Sequence, residues 1–228
     1  MVFSVAIDGP SGAGKSSLSE ALADRLALIH LDTGAMYRSL GLQALRMGLD
    51  PSSESDAAQV LELADFQVDF EGKKQINRLR GEAVNSLIRT DEVGMAGSQI
   101  ARHACVRESM LQAQRRLAEN VPMIIDGRDI GTYVLPNAAC KIYLDASPEI
   151  RAKRRQKQLE ENGNRCDYDT IYADILRRDR QDSSRAIAPL KRAEDAIYVD
   201  TSTLSYLETL DQLEAIILDK KAEFERGE

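Results

Sequence analysis

The sequence predicts an α/β protein: short parallel strands joined by helices, with one small antiparallel insertion. Three observations predict it. Short apolar, β-branched runs end in aspartate and alternate with longer helical patterns. The first of these runs passes through a glycine-rich turn into a helix, "VAIDGPSGAGKSSLSEAL". A third segment, "DFQVDFEGKKQINRLRGEAV", has two alternating stretches on either side of Gly72-Lys73-Lys74, the pattern of an antiparallel hairpin.

Taken in chain order, "VFSVAID" is the first strand, and the turn after it is the most specific motif of the chain. Gly9, Gly14, Lys15 and Ser16 fit G-x-x-x-x-G-K-[ST] without mismatch, with a strand before and a helix after. Glycines allow backbone N–H groups to fold around phosphate oxygens, and the helix that follows adds the positive end of its dipole. Lys15 reaches the β and γ phosphates of a nucleoside triphosphate, and the Ser16 hydroxyl can ligate Mg²⁺. Next, "HLDTGAMYR" reads as a strand end followed by a new helix. Thr33 can serve there as a simple N-cap, while Arg38, one turn into the helix, can clamp an acceptor phosphate.

Further along, "PMIIDGRD" is a strand that delivers Asp126 where a Walker B carboxylate organises Mg²⁺, directly or through water, followed by the loop pair Arg128-Asp129. "CKIYLDAS" and "AIYVDTS" are two more buried strands. Ligands of such a sheet gather at the carboxyl ends of its strands, where these aspartates lie. From Arg151 to Arg192 basic residues crowd two helical stretches joined around "ENGNRCDYD". Arg151, Arg154 and Arg155 are spaced to present their guanidinium groups to one side, and Arg178, Asp182 and Arg185 to share a helix face. A basic flap of this kind can close over transferring phosphates. In the last helix Leu204, Leu207, Leu210, Leu213 and Ile217 mark one face, and "LDKKAEFERGE" reads as a solvated end.

The bulk numbers narrow the function classes. With 228 residues and 43% hydrophobic content, the chain can bury one sizeable core and a small second lobe. A net charge of −7 argues against a dedicated binder of nucleic-acid backbone. Cys105, Cys140 and Cys166 are odd in number and far apart, which suggests free buried thiols in a reducing compartment rather than disulfides or a zinc site. No basic leader and no apolar run of spanning length is present, so the cytoplasm is expected. The two histidines, His30 and His103, read as structural. The N-K-x-D guanine reader of a regulatory GTPase is absent. A kinase of a small acceptor, whether a nucleotide or a compound such as shikimate, and a P-loop binding module remain as the alternatives.

In order along nearly the whole chain, "IDGPSGAGKSS", "LDTGAMYR", "DGRDIGT", "KIYLDAS" and "RDRQDSSRAIAPL" resemble the motifs of the bacterial cytidylate kinases, P-loop nucleoside monophosphate kinases. The resemblance implies a five-stranded parallel P-loop kinase core (1–34, 91–150 and 186–228), an NMP-binding lobe holding the β insertion (35–90) and a helical lid (151–185). It implies transfer of the γ-phosphoryl group of ATP to CMP or dCMP, with Mg²⁺, by a monomer with no polymeric nucleic acid or membrane partner. Gly9, Pro10, Ser11, Gly12, Ala13, Gly14, Lys15, Ser16 and Ser17 would then hold the donor phosphates, with Arg151 and Arg154 added from the lid. Lys15, Arg128, Arg178 and Arg155 would act on the transferring group, and Ser16 and Asp126 would hold the metal. Arg38 and Arg128 would grip the acceptor phosphate, and Arg178 and Asp182 its sugar. Ser98, Arg107, Asp129 and Arg185 would read the cytosine, with Thr33 beside the base. Two departures stand out: Thr33 replaces the family's common serine, and Ser16 replaces the glycine frequent after the motif lysine.

Overall fold

The computed structural model describes residues 2–161, 163 and 167–227. In chain order the elements are β1 (Ser4–Asp8), α1 (Lys15–Arg25), β2 (Ile29–Asp32), α2 (Thr33–Arg46), α3 (Glu54–Leu63), β3 (Phe66–Glu71), β4 (Lys74–Leu79), β5 (Glu82–Ala83), α4 (Asp91–Ile100) and α5 (Ala104–Ala118). They continue with β6 (Met123–Gly127), a short π-helix (Ile130–Val134), β7 (Cys140–Asp145), α6 (Pro148–Glu161), α7 (Tyr168–Ser183), β8 (Ile197–Asp200) and α8 (Tyr206–Arg226). The parallel sheet has the order β2-β6-β1-β7-β8. Strands β1 and β6 are buried at every residue, which explains why they read as unbroken apolar runs rather than as alternation. Register sets Asp8 beside Gly127 and Tyr143, and Asp145 beside Asp200, so the strand-end aspartates share one edge of the sheet.

Residues 3–28 and 122–228 form one compact unit, and residues 29–121 the other. In the first unit Val5, Ile7, Leu22, Ile142 and Leu144 pack with Leu210, Leu213 and Ile217 of α8. That helix departs from the sequence expectation at both ends. Ser205 caps it in a reciprocal box with Glu208, so Leu204 lies outside it, and Leu207 in its first turn is 63% exposed. At the other end the helix runs on to Arg226, and Phe224 meets Phe3 with ring centroids 5.6 Å apart, so the charged tail is anchored rather than simply solvated. The α6–α7 pair has its own small core of Ala152, Leu159, Ile171 and Ile175, flanked by the stacked rings of Tyr168 and Tyr172. Of the connection between these helices, Asn162, Asn164, Arg165 and Cys166 lie outside the described residues, so the thiol expectation for Cys166 does too. Cys140 is a buried free thiol, and burial pushes it up to about 12. Cys105 is free but only half-buried, at the start of α5, which corrects the reading of it as a buried thiol.

In the second unit the expected hairpin forms with Phe66 opposite Leu79 and Glu71 opposite Lys74, turning at Gly72-Lys73. A third strand, β5, follows a second turn and extends it to a three-stranded sheet. Helices α2 and α4 pack at backbone contact. A Cβ added to Gly41 would stand 2.4 Å from the Gly97 nitrogen, and one added to Gly97 would stand 2.9 Å from the Arg38 Cα. Only glycine at both positions permits that approach, and α4, which the sequence reading assigned to the core, packs here on α2. Among the described residues no helix is long and apolar enough to cross a membrane.

Candidate functional site

The first unit carries the triphosphate motif on the carboxyl end of β1. Gly9 has φ +153°, and a Cβ there would fall 1.9 Å from the Leu144 carbonyl oxygen, so the turn out of the strand requires glycine. Helix α1 begins at Lys15 behind Gly14, whose left-handed backbone provides no side-chain cap. The first amides of the helix are therefore not claimed by a capping side chain and can serve an anion. Lys15 is buried, with Nζ donating to the Pro10 carbonyl at 2.7 Å. Burial lowers its pKa to about 7, with the Arg128 charge adding to the effect and Asp126, Asp8 and Asp182 opposing it. Ser16 Oγ donates to Asp126 Oδ2 at 2.8 Å, which joins the two residues expected to hold a metal. Ser17 instead turns its hydroxyl back to the Gly14 carbonyl at 3.0 Å.

Asp8 is a residue that the sequence reading marked only as a strand end. Its carboxylate accepts from the N–H groups of Ile130 (2.8 Å) and Gly131 (2.7 Å), so the loop carrying Arg128 and Asp129 hangs from the end of β1. Burial raises its pKa to about 7 against those two hydrogen bonds; the Asp129 charge adds to the rise and the Lys15 charge opposes it. From the same loop Arg128 Nε donates to Asp182 Oδ2 at 2.7 Å, while Arg185 pairs with the other oxygen of Asp182. Burial disfavours the Asp182 carboxylate, but the Arg128 and Arg185 charges outweigh it and hold its pKa below the usual range. The sequence reading put Arg178, Asp182 and Arg185 on one helix face. The structure corrects this: α7 ends at Ser183, and Arg185 reaches Asp182 from beyond the end of the helix. Arg178 sits one turn before Asp182 on α7, and Asp129 is buried beside Arg128.

The three arginines of α6 do not present one face, because each has a different partner. Arg151 is buried: Nε donates to the Ala146 carbonyl (2.8 Å), and the guanidinium also reaches the Ser11 carbonyl (2.9 Å) and Asp179 of α7 (2.7 Å). It thus ties the phosphate-binding turn to α7. Arg154 donates to the hydroxyl and carbonyl of Thr201 beyond β8, and Arg155 to Gln158 of its own helix at 2.7 Å.

The second unit carries a separate cluster. Asp32, not Thr33, caps α2: its Oδ1 accepts from the Ala35 N–H at 2.8 Å, and Thr33 is the buried first residue of the helix. Oδ2 of Asp32 holds Arg38 at 2.8 Å. The Nε of Arg38 is buried and finds no hydrogen-bond partner among the described residues. Helix α4, whose Gly97 meets the Arg38 backbone, also carries Ser98. Arg107 of α5 is 3% exposed, lies 6.0 Å from the centroid of the Tyr37 ring and donates to the Ala101 carbonyl at 3.5 Å. His103 precedes α5, with Nε2 against the Pro51 carbonyl at 3.0 Å, a structural role as expected. Sequence reasoning did not single out Asp8, Asp179 or Tyr37. For Asp8 the signal was visible, a carboxylate immediately before the glycine turn; the other two carry none.

The glycine turn with Lys15 lies in one unit, and Arg38, paired with Asp32, lies in the other with Ser98 and Arg107. Residues 5–218 match the family model described as "Cytidylate kinase". The chain belongs to the cytidylate kinase family. Curated cytidylate kinases of Caldicellulosiruptor bescii and Geobacillus sp. (strain WCH70) are each 44% identical to it, covering 92% and 95% of this chain and 93% and 96% of their own length. That of Bacillus subtilis (strain 168) is 43% identical, over 94% of this chain and 96% of its own. As a cytidylate kinase family member, the chain has the P-loop kinase architecture that its parallel sheet and glycine turn indicate.

Proposed function

We propose that this chain transfers the γ-phosphoryl group of ATP to CMP or dCMP, giving ADP and CDP or dCDP. The observation that carries the reading is the glycine turn with its buried Lys15 in a chain whose residues 5–218 match the cytidylate kinase family. Residues 9–17 hold the donor phosphates by backbone amides, with Lys15 on the β and γ groups. Ser16 and Asp126, a hydroxyl and a carboxylate, would hold Mg²⁺, a cation that takes oxygen ligands. When bound, the ion neutralises charge on the β and γ phosphates.

The acceptor phosphate already carries a nucleophilic oxygen, so no strong general base is needed. Arg38 and Arg128 grip that phosphate. The buried Nε–H of Arg38, with no partner among the described residues, supports this assignment. Asp182, with Arg178, takes the sugar. Lys15, Arg128, Arg178 and Arg155 spread positive charge around the transferring group, with Arg155 brought there from α6 as the lid closes. Arg154 follows as a further donor-side arginine, and Arg151 serves the donor by holding the Ser11 carbonyl.

For the base, Asp129 accepts from the cytosine N4 amino group, and Ser98, Arg107 and Arg185 donate to O2 and N3, with Thr33 beside them. Uracil sets O4 against the same carboxylate, so UMP is disfavoured. ATP turnover measured with CMP, dCMP, UMP, AMP and shikimate tests the reading. CMP and dCMP should be fastest, with UMP at least about a hundredfold lower in kcat/KM. Failure of CMP to accelerate turnover above acceptor-free hydrolysis overturns it.

A further inference from the structure

Gln75, in the antiparallel insertion, makes a two-way contact with the backbone of a single residue. Its Oε1 accepts from the Asp32 N–H at 2.7 Å, and its Nε2 donates to the Asp32 carbonyl at 3.3 Å. A residue opposite Asp32 in an antiparallel strand would make the same pair of bonds with its own N–H and C=O. Here a side-chain amide makes them, at the point where β2 ends and α2 begins. Among neutral side chains only Asn and Gln place a donor and an acceptor in one plane in this way.

The amide is itself held in orientation. The Asp32 N–H and carbonyl fix which end of the amide is oxygen and which is nitrogen, and Nε2 also donates to Asn77 Oδ1 at 3.0 Å. Asn85 spans the insertion, donating to the Gln75 carbonyl at 2.9 Å and accepting from the Asn77 N–H at 2.8 Å. Asn77 is fully buried, while Gln75 and Asn85 are half-buried, so the frame runs from the interior of the unit towards its surface. Beyond Gln75 the chain of contacts continues without a gap. The Asp32 whose backbone it grips has one carboxylate oxygen on the first turn of α2 and the other on Arg38.

We propose that Gln75 is a positioning residue for the acceptor phosphate, and that the insertion exists in part to present it. By fixing the Asp32 peptide, Gln75 fixes the carboxylate that aims the Arg38 guanidinium. The inference rests on Arg38 as an acceptor-phosphate ligand.

Steady-state kinetics of the full chain with Gln75→Met, Gln75→Glu, Arg38→Met and the double variant Gln75→Met/Arg38→Met test it. Gln75→Met keeps the length of the side chain and loses both bonds. It should raise KM for CMP by roughly fivefold to tenfold, the effect of one to two hydrogen bonds, with KM for ATP unchanged. Gln75→Glu keeps an acceptor for the Asp32 N–H but faces the Asp32 and Asn77 oxygens with a carboxylate, and should not restore KM. In the Arg38→Met background Gln75→Met should add less than about twofold, because the two residues act in series. Amide hydrogen exchange at Asp32, slow in the parent, should accelerate in Gln75→Met. An unchanged KM for CMP, an equal rise for ATP and CMP, or independent effects in the double variant overturns the role of Gln75. If Arg38→Met leaves KM for CMP unchanged, the assignment of Arg38 itself fails and the inference falls with it. Should Gln75→Met not fold, the ATP-against-CMP comparison in Gln75→Glu decides the question.

Discussion

The two clusters are built in opposite ways. The cluster proposed for the donor is nine consecutive residues, 9–17, including one buried lysine whose pKa is lowered to about 7. The side chains proposed for the acceptor come from separate elements: Arg38 on α2, held by Asp32 at the end of β2, Ser98 on α4 and Arg107 on α5. A contiguous turn can be specified by a short sequence word, because peptide geometry alone carries its donors to one point. A scattered set works only if packing brings its parts together, and here that packing is two glycines in contact and an amide borrowed from the insertion.

The comparison can be broken at three places. The largest effect is expected at Lys15. Lys15→Met should lower kcat by roughly a thousandfold or more, since the transferring charge loses its lysine in a water-poor site. Removing a buried charge should also stabilise the unliganded protein. The folded Lys15 titrates near 7 against 10.5 in the unfolded chain, so the unfolded chain holds the extra proton between those values and parent stability rises with pH across them. Asp8 runs the other way. Its folded value of about 7 lies above 3.8, so the folded state holds the extra proton and stability falls as pH rises from about 4 to 7. The gain in Tm of Lys15→Met over the parent should therefore be largest at pH 6 and shrink toward pH 9. A lower Tm at pH 6 in the variant shows instead that the Pro10 bond and the neighbouring carboxylates more than repay the burial.

The second break is at Arg107. Arg107→Met should raise KM for CMP by about tenfold to a hundredfold, the effect of lost charge-assisted hydrogen bonds to the base. ATP binding should hardly change, and equal loss of both affinities contradicts the base-side assignment of Arg107. The third and smallest is Gly97→Ala, whose new methyl meets the Arg38 backbone at 2.9 Å. It should cost about 1–3 kcal/mol of stability in denaturant unfolding and raise KM for CMP a few-fold through displacement of α2, leaving KM for ATP unchanged.

Much of the fold could be read before any coordinates. Buried strands of unbroken apolar residues, their terminal aspartates and the alternation around Gly72-Lys73 are local patterns, and local patterns survive in sequence. The misreadings share a cause. Thr33 and Asp32 are both good helix caps, and only the backbone at Asp32, extended with its side chain on Ala35, shows which one acts. Leu207 keeps the spacing of the buried stripe yet stands exposed in the first turn of α8, because periodicity gives a phase and not the extent of the surface it meets. Arg151, Arg154 and Arg155 are spaced alike for many purposes, and their three different partners come from α7, the chain after β8 and α6 itself.

By itself the sequence determined the phosphate-binding turn, the strand ends around it and the residue types able to read a small phosphorylated acceptor. Each of these depends on neighbours within a few positions, through peptide geometry, helix dipole and side-chain chemistry. Tertiary structure alone decided which carboxylate serves which arginine: Asp182 for Arg128, Asp179 for Arg151, Asp32 for Arg38. A charge finds its partner by distance in space, and for Arg128 and Asp182 that distance is closed across 54 residues of chain by the packing of helices on the sheet.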